Sequence, residues 1–244
     1  MAFVLEHSHT KTGIHDRLAG GPRRNYLRDW IYGGIDGAVT TFAIVAGVVG
    51  ADLSSKVILI LGFANLLADG FAMAASNFSG TKAERDNFER VLGIERRHIA
   101  LVPEGEREEI RQIFAAKGFG GEDLDRVVNV ITADPGLWAR TMATEEYGLS
   151  PTISSPILAA ANTLAAFILC GSVPLLAYLS AGGLTACVIA TGTTFFAVGA
   201  AKSRWSSAGW LRSGMETLCI GMGAAAVAFI VGFGLHAVAN GLVA

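Results

Sequence analysis

Five stretches of this chain are long and apolar enough to cross a membrane as helices. They lie at roughly 33–51, 57–78, 156–179, 183–201 and 214–239. A helix that crosses the hydrocarbon layer needs about 20 predominantly apolar residues, so these runs dominate any fold the chain can adopt. The third, PILAAANTLAAFILCGSVPLLAYL, carries no charge, and Pro174 is expected to kink it near its outer end. Small residues crowd every span, as in GMGAAAVAFIVGFG at 221–234, and permit close helix–helix approach. Composition agrees: 52% apolar residues, 16% charged and 30 glycines in 244 residues are outside the range of an ordinary soluble domain. Cys170, Cys187 and Cys219 all fall within apolar runs and read as packing residues, not as a disulfide framework or zinc site. The expected architecture is therefore an all-α membrane protein with five transmembrane helices. Residues 1–32 form an N-terminal tail, 33–78 the first two spans, 79–150 an inner helical domain and 151–244 the last three spans.

The basic residues orient the chain. With the N-terminus inside, segments 1–32, 79–155 and 202–213 hold 18 of the 19 Lys and Arg residues, and only Lys56 lies outside. The positive-inside rule then predicts a cytosolic N-terminus and an external C-terminus. No cleavable signal peptide is evident in the first 30 residues, which carry His, Arg and Asp and lack an apolar core. The net charge of −2 says nothing about partners when charges are sorted by side.

Two acids interrupt the apolar spans: Asp36 in GGIDGAVTTFAIVAGVVGA and Asp69 in VILILGFANLLADGFAMAASNF. An ionisable group at membrane depth costs about 2.5–3.5 kcal/mol on insertion scales and usually marks an ion or proton pathway. The bland alternative, an acid near a helix end that reaches the interface, suits Asp36 better than Asp69.

Residues 79–150 hold 14 of the 21 acidic residues in helix-forming sequence. Thr81–Leu101 is expected to continue the second span. Pro103 then opens a helix over Glu104–Lys117 that Gly118 ends, and Gly120–Gly121 turn into a helix over Glu122–Ile131. Asp134 and Pro135 cap and start a fourth helix that stops at Gly148. Candidate ligands recur at one-turn spacing: Glu95 with His98, Glu106 with Glu109, and Met142 with Glu146. Carboxylates with one imidazole and one thioether suit a borderline first-row divalent metal. On spacing alone the stronger reading is a solvated face, because Arg96, Arg97, Arg107 and Arg111 are at hand to neutralise these carboxylates.

Several pieces, in this order, resemble the vacuolar iron transporter family of divalent-metal/proton antiporters. They are DWIYGGIDGAVTTFAIVAGVVGA, GFANLLADGFAMAAS, PEGEREEIRQIFAAKGF, DPGLWARTMATEEYGL and SGMETLCIGMGAAAVAFIVG. The resemblance implies five spans, a cytoplasmic metal-binding domain between spans two and three, and a homodimer with its path along the dimer interface. Carried over residue by residue, it makes Asp36 the first-span acid of metal passage and proton coupling, and Met73 a soft ligand in the path. It likewise makes Glu95, Glu106, Glu109 and Glu146 metal-binding glutamates and Met142 the first of a methionine pair. The chain departs from the family pattern at three places. His98 stands where the family often has Glu, Ala143 where it has a second Met, and Asn77 where it has a carboxylate.

Taken alone, Met73 would more often be core packing than a ligand, and Glu216 divides evenly between a path residue and an interfacial charge. Glu6, His7, His9 and His15 read as a disordered polar tail before a metal collector, and His236 as interfacial. Trp30, Trp205 and Trp210 fall at inner boundaries, where an aromatic belt suffices. The expected function is export of Fe²⁺, or of Mn²⁺ or a similar ion, from the cytosol in exchange for protons. The setting is a plasma membrane in a prokaryote or a vacuolar one in a eukaryote. The rival is a membrane-anchored metal sensor or buffer. No nucleophile–base pair or nucleotide loop suggests an enzyme, and no permanent cofactor or nucleic-acid partner is expected.

Overall fold

The computed structural model describes residues 7–21, 25–152, 154–180 and 183–243, without the side chains of 236, 237 and 239–243. Glu6 and the His236 side chain therefore lie outside the described residues. All the described regular structure is helical. In chain order it comprises α1 (Lys11–Ala19), α2 (Leu27–Gly50), α3 (Ser55–Leu101), α4 (Pro103–Ala116), α5 (Gly121–Thr132) and α6 (Pro135–Glu145). Then follow α7 (Pro156–Leu179), α8 (Gly183–Lys202), a 3-10 turn (Ser203–Trp205) and α9 (Trp210–Val243). Five of these helices, α2, α3, α7, α8 and α9, are long and apolar enough to cross a membrane. The chain divides into two compact units, Asn25–Gly80 with Ser155–Ala244, and Met1–Arg24 with Thr81–Ser154.

In the first unit α2 packs most extensively on α7 and also touches α8 and α9. Glycine makes that closeness attainable. Any side chain at Gly33 or Gly37 would run into the backbone of Thr163 or Phe167, and a Cβ at Gly171 would lie 2.8 Å from the Gly37 carbonyl oxygen. Such small-residue contacts replace the hydrophobic drive that lipid withholds. A core of Phe42, Val45, Ile58, Leu66, Phe167 and Leu175 fills the interior. Much of the rest of the apolar surface faces outward, including Ile60, Phe71, Ile189, Ile230 and Phe233. In water such a surface would be an aggregation liability; in hydrocarbon it costs nothing. Pro174 is buried within α7, which continues beyond it to Leu179. Span one starts at Leu27, six residues before the expected boundary, because the charge that hid its first turn, Asp29, is itself buried.

The second unit is built on two apolar clusters. Phe88, Val91, Leu92, Ala139 and Ala143 form one; Ile110, Val128, Ile131, Trp138 and Met142 form the other. Local signals set its helices. Pro103 and Pro135 stand at the first positions of α4 and α6, and the Asp134 side chain accepts from the Gly136 N–H at 2.8 Å. Gly118 and Gly148 end α4 and α6 with φ of 96° and 66°, a conformation glycine adopts without strain. Among the described residues of the N-terminal segment, Lys11–Ala19 is helical and not disordered: Thr10 accepts from the Gly13 N–H at 3.2 Å and caps α1, which buries none of its residues.

Candidate metal centre

The last turns of α3 present Glu95 and His98 on one face, three residues apart. The break at Val102 and the Pro103 start let α4 fold back so that its first turn brings Glu106 against them. One ligand atom from each of Glu95, His98 and Glu106 lies within 4.8 Å of the other two. Opposed ligands on a first-row divalent ion stand about 4 Å apart, so a small side-chain adjustment places all three on one ion. The His98 Nδ1 is 3.3 Å from Glu106 Oε1. Glu95 and Glu106 are buried, at 1% and 4% exposure, whereas His98, Glu109 and Glu146 reach the surface.

Two buried carboxylates side by side are costly unless a cation or proton compensates them. The arginines do not supply that compensation. Arg111 pairs with Asp125 at 2.7 Å and with Glu108 at 3.7 Å, and Arg107 bonds Thr132 and Asn129. Among the described residues, no Lys or Arg forms an ion pair with Glu95, Glu106, Glu109 or Glu146. Tyr147 donates to Glu95 Oε1 at 3.2 Å, yet the Oε2 atoms of Glu95 and Glu106 are buried with no hydrogen-bond partner. Burial, the charges of Glu109 and Glu95 and a hydrogen bond with Glu95 push Glu106 up to about 7, with His98 pulling the other way. Glu146 is raised as well, by burial first and then by Glu109 and Glu95. Tyr147 is pushed up to about 12 by burial and by the carboxylates of Glu95, Glu146 and Glu106, so it serves as a neutral donor at physiological pH. The arrangement is short of positive charge and rich in oxygen, with one nitrogen: it fits a divalent cation.

Met142 is fully buried in the apolar cluster with Ile110 and Trp138. Ala143 fills the neighbouring cluster. Tyr147 escapes sequence reasoning; its only signal is its position directly after Glu146.

A second set of polar groups lies among the spans. Asp36 on α2 and Asp69 on α3 are both half-buried within apolar spans. Asn65, Asp69, Met73 and Asn77 follow one another at four-residue spacing along α3. Met73 packs against the span core, and the Asn65 Nδ2 is buried without a hydrogen-bond partner. Asn77 donates to Asp29 Oδ1 at 2.9 Å and to Thr163 Oγ1 at 2.7 Å, which ties α3 to α2 and α7. Asp29 is 7% exposed and was not among the expected polar residues. Its signal in the sequence is an acid one turn after Asn25, set between Arg28 and Trp30 at the start of the apolar run. Glu216 is exposed on α9.

Comparison with known proteins places the chain, though not these individual groups, in a family. The chain is 34% identical to vacuolar iron transporter 1 of Arabidopsis thaliana over 208 residues, 83% of either chain. It is 32% identical to the vacuolar iron transporter of Toxoplasma gondii over 212 residues, 80% of this chain and 69% of that protein. It is 27% identical to the vacuolar iron transporter of Plasmodium falciparum over 223 residues, 86% of this chain and 82% of that one. The family model described as the VIT family matches residues 27–233, and the chain belongs to that family.

Proposed function

We propose that this protein carries a divalent metal ion, Fe²⁺ or a close relative such as Mn²⁺, out of the cytosol in exchange for protons. The observation that carries this reading is a pair of half-buried acids, Asp36 and Asp69, one on each of two apolar spans. Each is costly at membrane depth unless a cation or a proton compensates it. The inner centre of Glu95, His98 and Glu106, with Glu109 and Glu146 around it, captures the ion from the cytosol. The thioether of Met73, a turn beyond Asp69, then offers a weak ligand that lets the ion pass without trapping it. A carboxylate cannot hold a proton and a metal together, so each ion delivered to Asp36 or Asp69 releases a proton and each returning proton releases the ion. The family relatives bear the name of iron transporters, and the basic residues concentrate on the side assigned to the cytosol. Two copies are proposed to share the path, as the resemblance implies.

The second reading is a membrane-anchored buffer or sensor that binds metal at the inner centre and moves none. The buried, unpaired oxygens of Glu95 and Glu106 support binding in either case. Purified protein in sealed vesicles separates the two. A transporter accumulates metal inside and loses it when the vesicles are permeabilised; a buffer holds the same amount in sealed and leaky vesicles.

A further inference from the structure

Two cavities among the spans meet along one edge of α2. The first, of about 430 Å³, lies between the first turns of α2 and the end of α8, and is lined by Arg28, Tyr32, Lys202 and Trp205 over Leu27 and Ile31. The second, of about 370 Å³, shares Leu27 and Ile31 and continues along α8 past Ala201, Ala197 and Thr194. Its remaining walls, among them Trp30 and Val198, are chiefly apolar. One cleft thus has a basic, aromatic mouth and an apolar interior.

The charges at the mouth are uncommitted. Among the described residues neither Arg28 nor Lys202 forms an ion pair, and Arg28 rests 5.8 Å from the centre of the Tyr32 ring. Both basic residues stand where spans end, beside Trp205, Tyr32 and Trp30, residue types that gather at headgroup level. A free phosphate would satisfy Arg28 and Lys202 and leave the apolar cavity with no purpose. A lipid satisfies both halves. A zwitterionic headgroup brings its own cation to a mouth that already has two.

We propose that this cleft holds one anionic phospholipid. The phosphate is bound between Arg28 and Lys202 and an acyl chain lies in the cavity beside Ala197 and Thr194. The occupant would brace α2, the helix that carries Asp36, against α8 from the leaflet on that side.

Native mass spectrometry of the full-length protein in detergent tests this, with phosphatidylglycerol or phosphatidylcholine of the same chain length added, and with inorganic phosphate as a third arm. Wild-type protein should retain phosphatidylglycerol, and not phosphatidylcholine, at one lipid per chain. Arg28→Gln and Lys202→Gln should each lower retention about fivefold, the attraction of one basic residue to an anionic lipid surface. Arg28→Lys should keep it. Ala197→Trp should lower retention by filling the chain cavity while leaving the charges in place. Equal retention of the two lipids by wild-type protein, a reading that needs no variant, would overturn the proposal. So would unchanged retention in the Gln variants, or displacement of the lipid by inorganic phosphate, which would assign the mouth to a free anion.

Discussion

Glu106 holds the most informative proton of the inner centre. Its carboxyl titrates near 7 in the folded protein against an ordinary value of 4.5, because burial and two neighbouring carboxylates penalise its charge. Between those values the folded state keeps a proton that the unfolded chain has lost. The sign follows: without metal, this group's contribution to stability is complete below about 4.5 and is lost as pH rises to about 7. A metal ion needs the ionised form, so its stabilising effect runs the other way and grows as pH rises through 7. Thermal melts of the purified protein between pH 5 and 8, with and without Mn²⁺, should show both trends. Glu106→Gln should flatten them, and a variant with the wild-type pH profile would remove Glu106 from the centre. Tyr147 acts through Glu95 by fixing its orientation. Tyr147→Phe should weaken metal binding about tenfold, the lower end of what lost ligand support costs, when read by titration with Mn²⁺. Unchanged affinity would make the hydrogen bond incidental.

At the scale of elements, the bridge from Asn77 to Asp29 and Thr163 and the glycine contacts of α2 and α7 hold the spans in register. Asn77→Leu keeps the volume and leaves Asp29 buried without its donor, a loss of about 1–3 kcal/mol. The detergent-solubilised variant should melt several degrees lower, with metal binding at the inner centre retained; an unchanged melt would show that Asp29 finds another partner. The helices themselves were legible in the sequence. Apolar runs of spanning length located five of them, and Pro103, Asp134, Gly118 and Gly148 punctuated the inner ones, because those signals act within a few residues. Asp29 is not legible in the same way: an apolar run of spanning length leaves a charge out, and a tertiary hydrogen bond allows it inside the helix. The folding of α4 onto α3 was equally out of reach. Spacing places Glu95 and His98 on one face and the resemblance names Glu106 with them, but only the chain reversal near Val102 brings Glu106 against them, and only the geometry shows Arg107 and Arg111 engaged elsewhere.

For the whole molecule, the proposed function joins capture at the inner centre to passage by way of Asp36 and Asp69. The two can be separated experimentally. Glu95→Gln with Glu106→Gln should raise the metal concentration needed for half-maximal flux while leaving the maximal rate largely intact, since capture precedes passage. A fall in maximal rate with no change in that concentration would place these residues in the path itself. Met73→Ala should slow flux less than any change at Asp36, because a thioether is a weak, neutral ligand. The most direct measurement is Fe²⁺ uptake into inside-out vesicles carrying either wild-type protein or Asp36→Asn, with an imposed pH gradient. The substitution preserves size and polarity but neither titrates nor offers charge. Gradient-driven uptake is expected from the wild type and none from the variant, with metal binding at Glu95, His98 and Glu106 intact. Uptake by Asp36→Asn at the wild-type rate would contradict the proposed function.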